Sequence, residues 1–287
     1  MSKINYLLRS VKNLSKDASC PFCNNDQTAV VEKKYVFTKL IRCKKCSLQY
    51  RIPKDDQEFL QKFYQTDYKV DVQMMTNLPS DEELFILKAN YFEKLRDYYP
   101  IISEFTTDGK NKIIDYGCSW GYNLYKLNQK GLESQGYELS EHRARFGKEK
   151  LGVNLVYKEN DIRTGNDIFF SSHVIEHLAD IESFIDKMKS VLTADGTSLT
   201  FCPNGSPEFK KRNPSLFSYT WGQLHPNYID VNFMQHVFKN NPYYITTGDD
   251  VFDLEKIKAW DGSSQITNDD RSGFELLVIA KPNITFK

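Results

Sequence analysis

Two sets of side chains in this sequence are spaced for chemistry. Four cysteines fall as Cys20-x-x-Cys23 and Cys43-x-x-Cys46, with 19 residues between the pairs. Each CxxC turn puts two sulfurs on one side of a tight knuckle, and two knuckles offer four thiolates in the tetrahedral arrangement zinc prefers. With every position filled by sulfur, such an ion has no open site and is expected to be structural, supplying much of the folding free energy of a short polar segment. A redox role would need one pair in a thioredoxin-like βαβ setting, which the surrounding sequence lacks. The second set is His173, Glu176 and His177, in SSHVIEHLAD. On a helix this spacing puts all three on one face, and it matches an inverted zinc-protease signature. Its setting argues against proteolysis. DIFFSS reads as a strand ending near Ser172, so the motif straddles a strand end, whereas a protease needs it inside a helix with a third ligand. Glu176 and His177 then read as a hydrogen-bonded pair supporting the next helix, with a second metal there as the open alternative. His173 reads as a rim residue.

A third feature identifies the cleft. In NKIIDYGCSWGYNLYKLNQKG a buried strand runs into Gly117, Cys118, Ser119, Trp120 and Gly121 before a helix opens. Glycines there let the backbone approach a ligand and expose amide hydrogens near the helix start. Glu138 follows at the end of a second strand, where a carboxylate suits ribose hydroxyls. Together these indicate a nucleoside-containing cofactor. The dinucleotide pattern G-x-G-x-x-G is absent, because Ser119 stands at the second glycine position. On these residues the sequence resembles the class I S-adenosylmethionine-dependent methyltransferases, whose first motif is an acidic residue followed by G-x-G-x-G. The resemblance implies that Asp115 and the loop 117–121, with Gly117, Ser119 and Gly121, hold the methionine part of S-adenosylmethionine. It implies too that Glu138, followed by Leu139, takes the ribose, that Asp161 and Ile162 meet the adenine, and that His173 borders the cofactor sulfur. Cys118 and Cys202 read as small buried hydrophobes.

HVIEHLADIESF resembles the corresponding motif of a methyltransferase subgroup that includes ubiquinone-biosynthesis and many sugar O-methyltransferases. In the ubiquinone enzymes a Glu at the position of His173 is associated with a divalent cation, and the histidine here weakens a magnesium reading. After the fifth strand, Trp221, His225, Asn227 and Tyr228 form a polar–aromatic set suited to a sugar, and Lys210, Lys211 and Arg212 could meet a phosphate. His225 is expected to deprotonate the acceptor hydroxyl, with His173 as second candidate and Tyr228 orienting. The cysteine knuckles, QEFLQKFYQTDY and the core together resemble sugar methyltransferases, including nucleotide-sugar C-methyltransferases, which carry a further C-terminal domain. Its absence here points to O-methylation of a sugar, either a nucleotide sugar or a surface glycan.

Alternation of strand and helix patterns positions these residues. Strands are expected at 112–116, 134–138, 153–156, 167–171 and 197–202, with helices at 122–130, 141–150 and 181–192. That is an α/β, Rossmann-like, doubly wound and mainly parallel sheet with an N-terminal zinc-ribbon module. The divisions expected are 1–54 for the ribbon with a lead-in helix (Ile4, Leu7, Leu8, Val11, Leu14), 55–105 for a linker and helical segment, and 106–287 for the methyltransferase domain. Within the linker, helices are expected at 57–64 and through DEELFILKANYFEKLRDYYP, with Pro100 beyond the end of the second. Lys plus Arg and Asp plus Glu both total 38, yet residues 1–54 carry 12 basic against 3 acidic side chains. A ribbon with net +9 is the basis of the rival reading, RNA methylation, although nucleic acid is the less expected partner because the core lacks a basic stripe. A non-catalytic binding protein with this cofactor fold is the other rival. No apolar run approaches bilayer length and no secretory leader is evident, so no membrane insertion and a cytoplasmic location are expected.

Overall fold

The computed structural model describes residues 3–15, 17–35, 37–55, 59, 77–222 and 225–286. Most of the predicted helix 57–64 therefore lies outside the described residues. The lead-in helix spans Lys3–Lys12, but its packing face differs from the expected one. Tyr6, Ser10 and Asn13 are buried, while Leu8, Val11 and Leu14 are at least half exposed.

Three β-rich segments between and after the cysteine knuckles form an antiparallel ribbon: β1 (Thr28–Lys34), β2 (Thr38–Cys43) and β3 (Gln49–Ile52). The Sγ atoms of Cys20 and Cys46 lie 3.5 Å apart, as do those of Cys23 and Cys43. All four come within 4.8 Å of one another. Ligand sulfurs around a tetrahedral zinc at 2.3 Å stand about 3.8 Å apart, so the knot fits the ion and is far too open for disulfides. The ribbon does not end with itself. Its sheet gains a fourth strand, β9 (Asn227–Tyr228), which pairs with β3 through Gln49 and Tyr50.

The main sheet has eight strands: β4 (Lys112–Tyr116), β5 (Glu133–Tyr137), β6 (Leu155–Val156), β7 (Asn166–Ser172), β8 (Leu192–Pro203), β10 (Tyr243–Gly248), β11 (Gln265–Thr267) and β12 (Glu275–Ala280). Their order is β11-β10-β12-β8-β7-β4-β5-β6. The five-strand run from β8 through β6 and the β10–β11 pair are parallel where paired, and β12 runs antiparallel to both neighbours. Successive residues such as Ile113 and Ile114 in β4, or Phe169 and Phe170 in β7, point to opposite faces, and both are buried. A sheet covered on both sides requires this, and it explains the unbroken apolar runs in the sequence.

Two helices depart from expectation. The one predicted through 81–98 stops at Ala89, Tyr91 and Phe92 take left-handed φ of 47° and 55°, and Pro100 lies in the first turn of a new helix, Tyr99–Ser103. Proline suits a first turn because the missing N–H has no partner there anyway. The helix predicted at 141–150 is α-helical over Glu141–Phe146 and then widens to a π-turn at Gly147–Leu151. There a Cβ on Gly147 would stand 2.7 Å from the Trp120 carbonyl oxygen. Among the described residues, no helix is long and apolar enough to cross a membrane.

Candidate active site

A large cleft of about 2000 Å³ opens over the carboxyl ends of β4, β5, β7 and β8, where a parallel sheet leaves room for ligands. That exceeds the ~300–1000 Å³ of ordinary small-molecule sites, so it has space for a cofactor and a sizeable second molecule.

The cofactor half is built by the β4 loop. Gly117, Ser119 and Gly121 all adopt positive φ (82°, 52° and 83°). Ser119 pays for the missing glycine with a left-handed backbone, and its amide donates to Glu138 Oε2 at 3.0 Å. Glu138 accepts a second amide, from Ser140, at 2.9 Å. Asp115 is 3 % exposed, lines the cleft and accepts from the Asn123 side-chain amide at 2.9 Å. Burial, opposed by that one bond and reinforced by the Glu138 charge, lifts its carboxyl to about 7. A buried carboxylate so poorly compensated fits a cationic ligand group, and the paired oxygens of Glu138 fit a diol, so the residues present suit S-adenosylmethionine. Leu139 lines the cleft as well.

Other expected cofactor contacts fall elsewhere. Gly121 packs beneath the loop, where a Cβ would meet Val153 at 3.0 Å and Leu155 at 3.2 Å. Asp161 is exposed and Ile162 is buried in the core, and neither lines the cleft. The short 3-10 turn Glu159–Asp161 turns Glu159 to the cleft in their place, and its carboxylate accepts from the Tyr116 hydroxyl at 2.6 Å. Gly117 has no room for a side chain, since a Cβ would lie 2.4 Å from Val174 Cγ2. Gly117→Ala combines that clash with the left-handed φ. It is expected to cost roughly 2–5 kcal/mol and to abolish cofactor binding by calorimetry; near-normal binding would show that the loop can re-form.

In the acceptor half, His173 follows β7 directly with a left-handed φ of 55°. Its Nε2 lies 2.8 Å from Glu275 Oε1 and its Nδ1 3.3 Å from Glu176 Oε1. Burial opposes its charge, but these two carboxylates outweigh it and raise the imidazole to about 10. Glu275, at the start of β12, is also held by Arg96 at 2.5–2.6 Å. Neither Arg96 nor Glu275 was expected from the sequence. The only signal was one acidic residue opening the apolar strand ELLVIA. Arg96→Ala leaves Glu275 buried with only His173 beside it, and should cost about 3 kcal/mol in urea unfolding. A loss below about 1 kcal/mol would mark the pair as idle.

Glu176 is fully buried. Burial would raise its pKa, but His177 and His173 overcome this and hold it near 2. Neither oxygen accepts a well-formed hydrogen bond, and His177 Nε2 is 3.9 Å away, so the expected hydrogen-bonded Glu176–His177 pair is instead a looser electrostatic contact. His225 arrives from the loop after β8, its ring centroid 4.7 Å from that of His177. Its Nδ1 lies 2.7 Å from the Thr220 carbonyl oxygen, and burial together with the His177 charge lowers its pKa to about 3. Neither expected base therefore rests near neutrality: His173 is charged and His225 is neutral.

Three further expectations are corrected. Tyr228 is buried, its ring 4.7 Å from Phe217 in a separate cluster, and does not reach the cleft. Asn227 is turned to the Leu178 carbonyl. Lys210 pairs with Glu32 and Arg212 with Asp249, so the basic run meets carboxylates. Aromatic cleft surface comes instead from Tyr219 and Tyr91, 84 % and 71 % exposed, and from Tyr35 of the ribbon. Cys118 and Cys202 are buried, and burial pushes both thiols well up.

Residues 114–200 match the family model described as a methyltransferase domain. No curated protein matches the chain. Among solved structures, an S-adenosylmethionine-dependent methyltransferase from Archaeoglobus fulgidus is similar at 17% identity and a TM-score of 0.45, covering 69% of this chain and 93% of that one. A TehB-like S-adenosylmethionine-dependent methyltransferase from Corynebacterium glutamicum shares 17% identity over 72% of this chain and 97% of that one, with a TM-score of 0.43. The plantazolicin methyltransferase BamL, solved with S-adenosylhomocysteine and a desmethylplantazolicin analogue, shares 14% over 70% and 91%, with a TM-score of 0.47. Likenesses at this level say nothing about the acceptor.

Proposed function

We propose that this chain, an S-adenosylmethionine-dependent methyltransferase of the class I fold, transfers its methyl group to a hydroxyl of a sugar, carried on a nucleotide or in a surface glycan. The reading is supported above all by the composition of the cleft, which is lined by exposed tyrosines suited to stacking on sugar faces and by His173, His177 and His225. Lys94 and Lys130 also line the cleft and suit the phosphates of a nucleotide sugar.

When bound, S-adenosylmethionine supplies an electrophilic methyl on a sulfonium. Its transfer would break the carbon–sulfur bond with the electron pair kept on sulfur and form a carbon–oxygen bond, so the protein's task is to position the hydroxyl and take its proton. Asp115 and Glu138 bind and orient, and the Gly117 loop sets the depth of the cofactor. His225 donates through Nδ1 to Thr220, which leaves the Nε2 lone pair as the proton acceptor. The buried Glu176 charge favours the imidazolium as it forms, while the Thr220 carbonyl orients the ring. His173, already charged between two carboxylates, serves as a fixed positive wall.

RNA is the less favoured acceptor. Of the basic ribbon residues, Arg42 pairs with Asp230, Arg51 and Arg9 pair with Asp55, and Lys34 donates to the carbonyls of Ser218 and Trp221. These four cations, of the twelve in residues 1–54, are engaged inside the fold and are not displayed as a phosphate track. Mass spectrometry of glycans and nucleotide sugars from cells with and without the gene tests the proposal: one methyl ether should vanish with the gene, and an unchanged carbohydrate profile would reject it.

A further inference from the structure

Glu176, His177 and His225 come from two separate segments, yet each offers a ligand atom within 4.8 Å of the others. Glu176 is wholly buried, and both its oxygens lack a well-formed hydrogen bond. His173 Nδ1, 3.3 Å from Oε1, leaves Oε2 without a donor, and such a buried oxygen is costly and signals a missing cation or water. The His225 geometry adds an independent sign. Its Nδ1 is fixed on the Thr220 carbonyl, so the opposite nitrogen, Nε2, presents a lone pair. An imidazole held by a carbonyl behind it is how metal-binding histidines are oriented. His177 and His225 both line the acceptor cleft, while Glu176 lies beneath them, which leaves one side open to a ligand.

We infer that Glu176, His177 and His225 bind a divalent transition ion on the floor of the acceptor cleft, distinct from the zinc of the cysteine knot. Two imidazoles and one carboxylate suit zinc, manganese, cobalt or ferrous ions and not magnesium, which prefers oxygen throughout. His173 is not a ligand, because Glu275 and Glu176 already occupy its two nitrogens. The ligand set therefore draws on the loop after β8, outside the His-x-x-Glu-His motif. The inference rests on the proposed hydroxyl acceptor and replaces its base: with the ion bound, the His225 Nε2 lone pair is a ligand, and the open coordination position would take the acceptor oxygen and lower its pKa, so that its proton passes to water. Such polarisation is a standard contribution of a bound cation.

Mn²⁺ provides the probe, since thiolates favour zinc and carboxylate and imidazole accept manganese. Protein whose cysteine knot is filled with zinc is titrated with Mn²⁺ and followed by electron paramagnetic resonance, with no acceptor present. One saturable Mn²⁺ per chain is expected, and binding should weaken at least tenfold in both Glu176→Gln and His225→Ala. The cofactor affinity of each variant, read by calorimetry, reports whether it is folded. His225, on a loop, remains informative if the buried Glu176 variant does not fold. Metal analysis of the same samples counts zinc, so a tightly held second zinc would appear as two ions per chain falling to one in the variants. A single ion per chain under all these conditions, or a second ion unaffected by either substitution, overturns the inference. Because the readout is metal alone, a wrong acceptor class would leave this result unchanged.

Discussion

Cys20, Cys23, Cys43 and Cys46 are expected to hold zinc, and removing it, or replacing Cys43 and Cys46 by serine, should unfold the ribbon and reduce methyl transfer more than a hundredfold. Cofactor affinity should stay within a few-fold. The first part follows from the size of the term: thiolate zinc sites contribute on the order of 10–16 kcal/mol to the folding of small modules, and this ribbon has three short strands. The second follows from its connections. β3 pairs with β9, the Arg51 amide donates to the Pro226 carbonyl at 2.7 Å, and the Gln49 side chain donates to the Gly205 carbonyl at 2.6 Å. Those contacts hold both ends of the segment that carries His225. Ribbon residues Tyr6, Lys34 and Tyr35 line the cleft themselves. The loop residues Cys118 and Trp120 pack in a different cluster, around Leu124, and only Tyr116 and Tyr137 at the adjoining strand ends share the cluster of the cysteine knot. Metal-free protein that retains full transfer would show that the ribbon is an independent appendage.

Asp115→Asn is expected to weaken cofactor binding about 10- to 100-fold at pH 8, the range for losing a charge-assisted contact, and to flatten its pH dependence. Burial raises the Asp115 carboxyl from 3.8 to about 7. A raised folded-state pKa means that the folded protein holds the proton more tightly than the unfolded chain does. Its stabilising contribution is therefore fully present below pH 3.8 and is lost as pH rises through about 7. Cofactor binding runs the opposite way. A cationic group needs the carboxylate, so affinity should rise about tenfold between pH 6 and 8, with a proton released on binding below pH 7. Calorimetry in buffers of different ionisation enthalpy measures both effects. A pH-independent affinity in the parent protein would remove Asp115 from the cofactor contact.

The sheet core and the clustering of the four cysteines were legible because each rests on local rules. Unbroken apolar runs such as KIIDY mark strands covered on both faces, and paired CxxC turns fix four sulfurs without reference to the rest of the chain. Details set by long-range packing were not legible. Nothing local distinguishes Glu159, which reaches the cleft, from Asp161, which does not, because the 3-10 turn that separates them is set by its neighbours. Tyr228 lies near His225 in sequence, but its pairing with β3 of the ribbon turns it into a buried cluster. Arg96 and Glu275 are 179 residues apart, and only the closed sheet brings them to His173. The helix beginning at Asp81 was read too long because Leu84, Leu87, Tyr91 and Leu95 keep helical spacing after the backbone has turned left-handed.

The central claim, methyl transfer to carbohydrate, is tested most directly by incubating purified protein with methyl-labelled S-adenosylmethionine and separate pools of nucleotide sugars, extracted glycans and RNA. The account predicts label in a carbohydrate fraction as an alkali-stable methyl ether, lost in His225→Ala. Label confined to RNA, or to none of the three pools while the cofactor still binds, would contradict it.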